Sequence, residues 1–277
     1  MLYSVLEQSY SEWECVVIDD GNNIETKIAV SELNDNRIKY FIRPIDFKKG
    51  LSGSRNYGLA LASGKYYQFI DDDDILHPLF LKTKMDIIDQ NEDLDYIISP
   101  LKNFSGSVPT LSLKISEVNF YSVDWKQYVL GNTGIFSCSV LWKNSCFESN
   151  NFNENLIVSE DYDLYWRLFK EYKNGMFLNV PHYFRRVHQK SNSENLRSNS
   201  MDYKSDFIKS RVSALEELIR INETDRHLGL YFLFLGIKNR NKQLIELVNS
   251  ANFDFSLSDR CKILKYQFSK RFKSLTN

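Results

Sequence analysis

Four consecutive carboxylates, Asp71 to Asp74, are the strongest chemical signal in the sequence. They follow Tyr66–Ile70, an apolar segment typical of a buried strand. Because like charges repel, the run favours a divalent cation as its partner, and hard cations share carboxylate oxygens with phosphates. The alternative is an acidic turn that only caps a helix. Asp71 and Asp73 could converge on one ion, whereas Asp74 is expected to cap the helix that follows.

Two further carboxylates, Asp19 and Asp20, follow the apolar run Glu14–Ile18. In an open α/β sheet, ligands bind at the carboxyl ends of the strands. One of these carboxylates could therefore accept hydrogen bonds from a nucleobase or a ribose. The alternative is a turn whose aspartates cap the next helix.

The segment Gly50–Ser54 is rich in glycine and serine and precedes Arg55. We predict a flexible loop at Gly50–Ser54 that enters a helix and brings backbone N–H groups near a phosphate, with the Arg55 guanidinium beside them. The segment lacks the Gly-Lys-Ser/Thr ending of a P-loop, so taken alone it does not identify a nucleotide site.

Acidic residues also cluster at Glu160, Asp161 and Asp163, where a helix is predicted to begin. One of them could act as a general base at the mouth of a site. The alternative is that they interact only with the positive end of the helix dipole. Asp163 is expected to face solvent.

A basic segment, Arg185–Arg186, comes two residues before His188. It follows a predicted strand, so the two guanidinium groups could face a pyrophosphate. His188 is either a metal ligand or a structural histidine.

These residues are separated by strands that alternate with helices, which predicts a mostly parallel, doubly wound sheet flanked by helices. The predicted strands are Glu14–Ile18, Ile38–Ile42, Tyr66–Ile70, Tyr96–Ser99, Val140–Trp142, Met176–Pro181 and Tyr183–Val187. The predicted helices of this part are Ile24–Leu33, Arg55–Ala62, Pro78–Asn91 and Glu160–Tyr172. The segment 102–130 has no clear periodicity.

The chain is predicted to be helical after residue 200, at 203–221, 226–238, 241–250 and 259–274. We therefore predict a first domain at 1–199 and a helical C-terminal region at 200–277. The Ser/Asn-rich stretch Ser191–Ser200 is expected to be the linker or a mobile loop between them.

Composition narrows the class of protein. The 277 residues include 35 Lys and Arg against 36 Asp and Glu, which argues against a nucleic-acid partner. Four cysteines without metal-type spacing indicate reduced thiols in the cytoplasm.

The longest apolar run, Leu228–Ile237, is too short to cross a bilayer. The basic amphipathic segment 259–277 is either a peripheral contact to the inner face of the membrane or a solvated helix face.

Five segments, taken in order, resemble the inverting glycosyltransferases of family 2, which have the GT-A fold. The matching segments are Ser4–Tyr10 with Trp13-Glu14, Val17–Gly21, Ser54–Tyr66, Phe69–Asp74 and Ser159–Leu168. Each motif alone is weak, but five in the family's order are specific. The resemblance covers about residues 2–190 and implies a Rossmann-like GT-A domain with a C-terminal helical extension.

The resemblance implies a nucleotide-diphosphate-sugar donor. By position, Asp20 would accept hydrogen bonds from the donor's base, with Asp19 beside it. Arg55 would lie near the nucleotide, and Asp71 and Asp72 would contact the nucleotide or its metal.

The resemblance also implies Mn²⁺ or Mg²⁺ as cofactor, bound by Asp73, Asp71 and His188. Asp161, with Glu160 beside it, would be the base that deprotonates a hydroxyl of the acceptor, a surface polysaccharide or a lipid-linked glycan. The expected reaction is metal-assisted sugar transfer with inversion.

One departure from the family concerns the start of the sequence, because Tyr3 already matches the inside of the first helix. The family's first strand, in the middle of the sheet, is therefore expected to be missing, which would leave the neighbouring strand edges unpaired. Three explanations for the missing strand stay open: a misassigned start codon, a gene fragment or a degenerate protein.

The function that competes with sugar transfer is that of an inactive remnant that still binds a nucleotide sugar. A magnesium-dependent phosphatase is disfavoured, because its usual downstream Lys and Ser/Thr partners are absent.

Overall fold

The structure is a computed structural model that describes the backbone of residues 1–107, 118–188, 201–251 and 253–275, and the side chains of all of these except 201, 202 and 267–275. The strands are β1 (Cys15–Asp19), β2 (Ile38–Ile42), β3 (Tyr66–Gln68), β4 (Ile75–Leu76), β5 (Tyr96–Ile98), β6 (Leu101–Phe104), β7 (Val118–Phe120), β8 (Val140–Lys143), β9 (Gly175–Leu178) and β10 (Tyr183–Arg186). All seven predicted strands are present, with ends that differ by at most three residues.

The helices lie between strands up to β10 and follow one another from Met201 onward. They are α1 (Leu2–Leu6), α2 (Ile24–Glu32), α3 (Leu51–Leu61), α4 (Phe80–Ile88), α5 (Trp125–Val129), α6 (Glu160–Glu171), α7 (Met201–Arg220), α8 (Arg226–Asn239), α9 (Lys242–Ser250) and α10 (Leu257–Leu275). Short 3₁₀ turns cover Ser137–Ser139 and Asn144–Phe147. The predicted loop at Gly50–Ser54 is wrong, because α3 already begins at Leu51.

The strands form three hydrogen-bonded groups, ordered β1-β2, β4-β10-β6 and β3-β8-β5-β9-β7. The pairs β1–β2, β5–β9 and β6–β10 are parallel. The other four ladders between described strands are antiparallel, so the pairing is more mixed than a mostly parallel sheet. Two of these antiparallel ladders are formed by β8, which lies between β3 and β5 and runs opposite to both. Antiparallel neighbours do not need the long crossover connections that parallel neighbours need.

A large cleft separates β1 from β3. Among the described strands β1 pairs only with β2, and β3 pairs only with β8. Residues of both strands line the cleft, whose volume is about 1540 Å³. This exceeds the roughly 300–1,000 Å³ of usual ligand pockets, because the space between the two strands is continuous with the site at their carboxyl ends. The missing first strand stays a prediction.

The hydrophobic core joins the sheet to the C-terminal helices. Trp142 on β8 and Phe169 on α6 are fully buried in one cluster. Leu215 of α7 and Phe232 of α8 belong to the same cluster and are also fully buried. The helical region therefore packs as part of one core, and the domain boundary near residue 199 stays a prediction. Ser191–Ser200 lies outside the described residues.

None of the described helices is both long enough and apolar enough to cross a membrane. The basic segment 259–277 begins within α10, where Asp259 is buried against Arg226 at 2.5 Å. Peripheral membrane contact through this segment stays a prediction.

Candidate active site

The loop after β1 directs its two aspartates differently. Both carboxylate oxygens of Asp19 are used inside the loop, by the N–H groups of Gly21 at 2.8 Å and Asn23 at 2.7 Å and by the Tyr40 hydroxyl at 2.6 Å. Burial raises the pKa of Asp19, but the hydrogen bonds from Tyr40 and the backbone outweigh this and lower it. Asp19 therefore shapes the turn, while Asp20 lines the cleft.

Asp20 is already held by protein donors. Its carboxylate pairs with the Arg43 guanidinium and accepts the Gly50 N–H at 3.1 Å. These contacts fix the loop after β1 to the start of α3. The predicted contact between Asp20 and a nucleobase stays a prediction, and it would have to share this carboxylate with Arg43.

The start of α3 depends on two glycines. Gly50 adopts a φ of +119°, a conformation that L side chains rarely adopt. A Cβ on Gly53 would lie 1.9 Å from the Lys48 carbonyl oxygen, so the first turn can pack here only without a side chain. This close packing sets the direction of Arg55, two residues further along the helix.

Arg55 lines the cleft, but it is buried and three of its five N–H donors bond to protein groups. It donates to Glu160 at 2.6 Å, to Asp71 at 3.1 Å and to the Ser137 hydroxyl at 3.1 Å. The predicted role of Arg55 near the nucleotide stays a prediction, and in the structure its charge faces the site's carboxylates.

Glu160 and Asp161 stand at the first turn of α6, after Ser159 in the left-handed region at φ 62°. A non-glycine residue there is strained, and such strain is common at functional sites. Glu160 is buried, whereas Asp161 is half-buried and lines the cleft. The Asp161 carboxylate accepts the N–H groups of Ser137 at 3.2 Å and Tyr162 at 2.8 Å.

Burial and the neighbouring Asp161 charge raise the pKa of Glu160, and the Arg55 guanidinium opposes the rise. Because a guanidinium keeps its proton at any ordinary pH, Glu160 is the member of the pair whose charge can change. Asp163 corrects a prediction: it is not solvent-facing but buried, 3.6 Å from Arg167.

The acidic run divides into three environments. Asp71 and Asp73 are partly exposed and line the cleft, and Asp72 is exposed on the same wall. Asp74 is 1% exposed and accepts the Arg186 N–H at 2.8 Å. Asp74 is therefore not the predicted helix cap but a buried link to β10. Burial raises its pKa to about 6.

His188 meets the acidic run from the end of β10. Its Nε2 lies 2.8 Å from Oδ2 of Asp73, a residue 115 positions earlier in the chain. Arg186 supports the same contact by donating to the Asp73 carbonyl oxygen at 3.0 Å. The structure thus brings together two of the predicted metal ligands, and both side chains remain partly exposed.

The site offers two groups of donors that differ in their fit to a cation. Among the described residues, the three metal-type side chains whose ligand atoms lie within 4.8 Å of one another are Asp71, Asp74 and Cys138. Burial raises the pKa of the Cys138 thiol far above neutral, so it stays protonated and does not suit a hard cation. The Asp73–His188 pair, with carboxylate and imidazole donors at the cleft surface, suits Mn²⁺ better. Asp71 is close by in sequence but is held by Arg55.

The cleft therefore collects carboxylates from three separate parts of the chain and one histidine. The sequence pattern of glycosyl transferase family 2 matches residues 1–146 of this chain. The chain belongs to glycosyl transferase family 2. The GT-A-type α/β fold predicted from the sequence is confirmed.

Two curated family 2 relatives act on lipid-linked glycans, according to their names. GalNAc(5)-diNAcBac-PP-undecaprenol beta-1,3-glucosyltransferase of Campylobacter jejuni is 31% identical over 179 residues, which are 61% of this chain and 54% of the relative. UDP-Glc:alpha-D-GlcNAc-diphosphoundecaprenol beta-1,3-glucosyltransferase of Escherichia coli is 43% identical over 72 residues, 26% of this chain and 28% of the relative. The matches thus span about half of one relative and less of the other.

Solved structures show the same fold at low sequence identity. S. aureus TarS 1-349 superposes with a TM-score of 0.61 at 16% identity, covering 90% of this chain and 84% of TarS. The TarS complex with UDP-GlcNAc gives a TM-score of 0.60 at 17% identity and covers 99% of this family 2 chain and 87% of TarS. TarS therefore shares the fold of this chain.

Three residues of the site were not found from the sequence. Ser137 connects Arg55 to Asp161, Arg43 holds Asp20, and the Tyr183 hydroxyl accepts the Asp71 N–H at 3.1 Å. No local pattern marks them, because each acts on a residue distant in the sequence.

Proposed function

We propose that this family 2 chain transfers a sugar from a nucleotide-diphosphate sugar to a hydroxyl of a glycan acceptor, with inversion. The observation that carries the proposal is the contact of His188 with Asp73 at 2.8 Å in the same cleft that holds Asp161. The same cleft then contains the Asp73–His188 pair, which could bind the metal ion of a metal–diphosphate complex, and the Asp161 carboxylate, which could act as a base.

Asp73 and His188, together with Asp71, would hold Mn²⁺ or Mg²⁺. When bound, such an ion supplies Lewis-acid neutralisation of the charge that develops on the leaving pyrophosphate. Asp72, exposed on the same wall, is proposed to contact the nucleotide. The Asp71 carboxylate has one oxygen engaged by Arg55, which leaves its other oxygen for the donor side of the site.

Asp161 is proposed as the general base. An alcohol is a poor nucleophile until a positioned group takes its proton, and proton transfer of this kind contributes typically about 10²–10⁴-fold. Asp161 is half-buried, lines the cleft and has its carboxylate oriented by two backbone N–H groups. Attack from the face opposite the leaving group gives inversion. Glu160, behind it, fixes Arg55.

The acceptor is proposed to be a surface polysaccharide or a lipid-linked glycan, since the named relatives use diphosphoundecaprenol-linked substrates. Such an acceptor would place the protein at the inner face of the membrane, where the segment 259–277 could make peripheral contact. Arg185, which lines the cleft beside His188, is well placed for an anionic group.

An inactive nucleotide-sugar-binding remnant is the second candidate. Two observations favour it: the facing edges of β1 and β3 are unpaired among the described strands, and Asp20 is engaged by Arg43. Both features lie in the part of the cleft where the donor's nucleoside would bind.

A donor screen tests the proposal. Purified protein with Mn²⁺ is incubated with UDP-, GDP- and dTDP-sugars, and release of nucleoside diphosphate is measured with and without a lipid-linked glycan. Asp73→Asn and the surface variant Asp86→Asn are run in parallel. The transferase proposal predicts release that Asp73→Asn abolishes and Asp86→Asn does not change. Donor binding without release would instead identify the remnant, and release unaffected by Asp73→Asn would contradict the assigned metal site.

A further inference from the structure

The Arg55 side chain contacts three separate walls of the site. Its guanidinium reaches Asp71 after β3, Glu160 at the start of α6 and Ser137 in the 3₁₀ turn before β8. The two ion pairs are 3.1 and 2.6 Å long and join positions 16 and 105 residues away from Arg55. No other described residue links the donor side of the cleft to α6 in this way.

The surroundings hold this guanidinium in one orientation. Arg55 is 9% exposed, and its guanidinium carbon lies 5.5 Å from the ring centre of Phe69 and 5.4 Å from that of Phe152. A planar guanidinium presents its donors in a fixed fork. Three of its five N–H donors are committed to Glu160, Asp71 and Ser137, so the buried charge of Arg55 is directed at groups of the site itself.

Through Ser137, Arg55 also reaches the proposed base. The Ser137 hydroxyl accepts from Arg55 at 3.1 Å, and its backbone N–H donates to Oδ2 of Asp161 at 3.2 Å. The Ser137 carbonyl is fixed from the other side by the Tyr165 hydroxyl at 3.1 Å. The position of the Asp161 carboxylate therefore depends on a residue that Arg55 holds.

We propose that Arg55 is a positioning residue that ties the donor-side carboxylate Asp71 to the acceptor-side pair Glu160 and Asp161, and that it does not bind the nucleotide. This rests on the proposed transferase function. The contacts of Arg55 set the distance between the leaving group and the base. Their loss therefore misplaces the base, while the donor can still bind. A misplacement of about 1 Å can cost about 10²-fold in rate.

The test compares chemistry with donor binding. Arg55→Met is expected to lower kcat by about 100-fold while the affinity for UDP with Mn²⁺, measured by calorimetry, changes less than about threefold. Arg55→Lys, which keeps one charge but not the fork, should recover part of the rate. Arg220→Met, at an exposed Arg–Glu pair on α7, is the control and should change neither quantity.

Two further variants control for misfolding of Arg55→Met, because that substitution leaves Glu160 buried without its partner. The double variant Arg55→Met with Glu160→Gln removes both charges. Ser137→Ala removes the hydroxyl that accepts from Arg55 but keeps both ion pairs and the backbone N–H that donates to Asp161. It therefore tests the Arg55–Ser137 contact alone and should lower kcat without changing UDP affinity.

Hydrogen exchange of the Ser137 amide gives a readout that does not need turnover. In Arg55→Met this amide should exchange at least tenfold faster, because the turn that holds it to Asp161 is released. Unchanged exchange, or a loss of UDP affinity with kcat unchanged, would overturn the role. If the wild-type protein transfers no sugar, the proposed function fails, while the exchange and the UDP affinity still decide whether Arg55 positions the site.

Discussion

Burial of Lys84 should cost the protein stability at acidic and neutral pH and much less at basic pH. It lies on α4 and is 1% exposed, with Nζ 2.7 Å from Oε1 of Gln68 and 4.0 Å from the ring centre of Phe80. Among the side chains that the structure describes, no carboxylate pairs with it, and burial lowers its pKa from 10.5 to about 7. A group with a depressed basic pKa binds its proton less tightly in the folded state than in the unfolded state.

The magnitude follows from proton linkage. The shift of about 3.5 units, at about 1.4 kcal/mol each, corresponds to about 5 kcal/mol. Between pH 7 and 10.5 the unfolded state binds more protons, so wild-type stability rises with pH and the cost is fully present below pH 7. Lys84→Met removes this cost but leaves the Gln68 oxygen without its donor, which costs about 1–3 kcal/mol.

The variant should therefore be more stable than the wild type by about 2–4 kcal/mol at pH 6, and this advantage should shrink by about 3 kcal/mol at pH 9.5. Urea denaturation at both pH values measures it. Lys82→Met is the matched control, because Lys82 is exposed on the same helix and pairs with Asp86; its effect should stay within about 0.5 kcal/mol at both pH values. An advantage of Lys84→Met that does not depend on pH would refute the reasoning.

Two other predictions concern the site. Gly53→Ala should lower the melting temperature and abolish donor binding, because its Cβ would lie 1.9 Å from a carbonyl oxygen at the start of α3. Gly58→Ala is the control and should be tolerated, since its Cβ would make only a 3.7 Å contact. Equal effects of the two substitutions would contradict this prediction. His188→Gln should weaken Mn²⁺ binding, measured from the electron paramagnetic resonance signal of free Mn²⁺. His227→Gln, at the exposed start of α8, is the control and should leave Mn²⁺ binding unchanged. Unchanged Mn²⁺ binding by His188→Gln would show that His188 is not a ligand of the metal.

Local sequence patterns predicted the elements well. The apolar runs that became β1, β2, β3 and β5 end in polar residues, so both the strands and the position of the acidic residues at their ends could be predicted. The main local error, a flexible loop at Gly50–Ser54, came from reading glycines as breakers. In the structure Gly53 is instead the residue that permits close packing at the start of α3.

Contacts between distant residues could not be predicted in this way. Nothing local indicates that Arg55 faces Glu160, or that Asp74 is buried beside β10 rather than capping a helix. The mixed strand pairing has the same origin, because the direction in which β8 enters the sheet depends on the whole topology. The family resemblance supplied roles for individual residues, but it did not predict the contacts of Arg55, because a role does not specify which way a side chain points.

The central claim is that Asp161 acts as the base in sugar transfer within this cleft. The most direct measurement is the rate of sugar transfer to a lipid-linked glycan by Asp161→Asn and by the wild type, together with the affinity of each for UDP and Mn²⁺. We predict that transfer falls by about 10²–10⁴-fold while UDP binding is unchanged. Transfer by Asp161→Asn at the wild-type rate would contradict the assignment of the base and, with it, the proposed chemistry of the site.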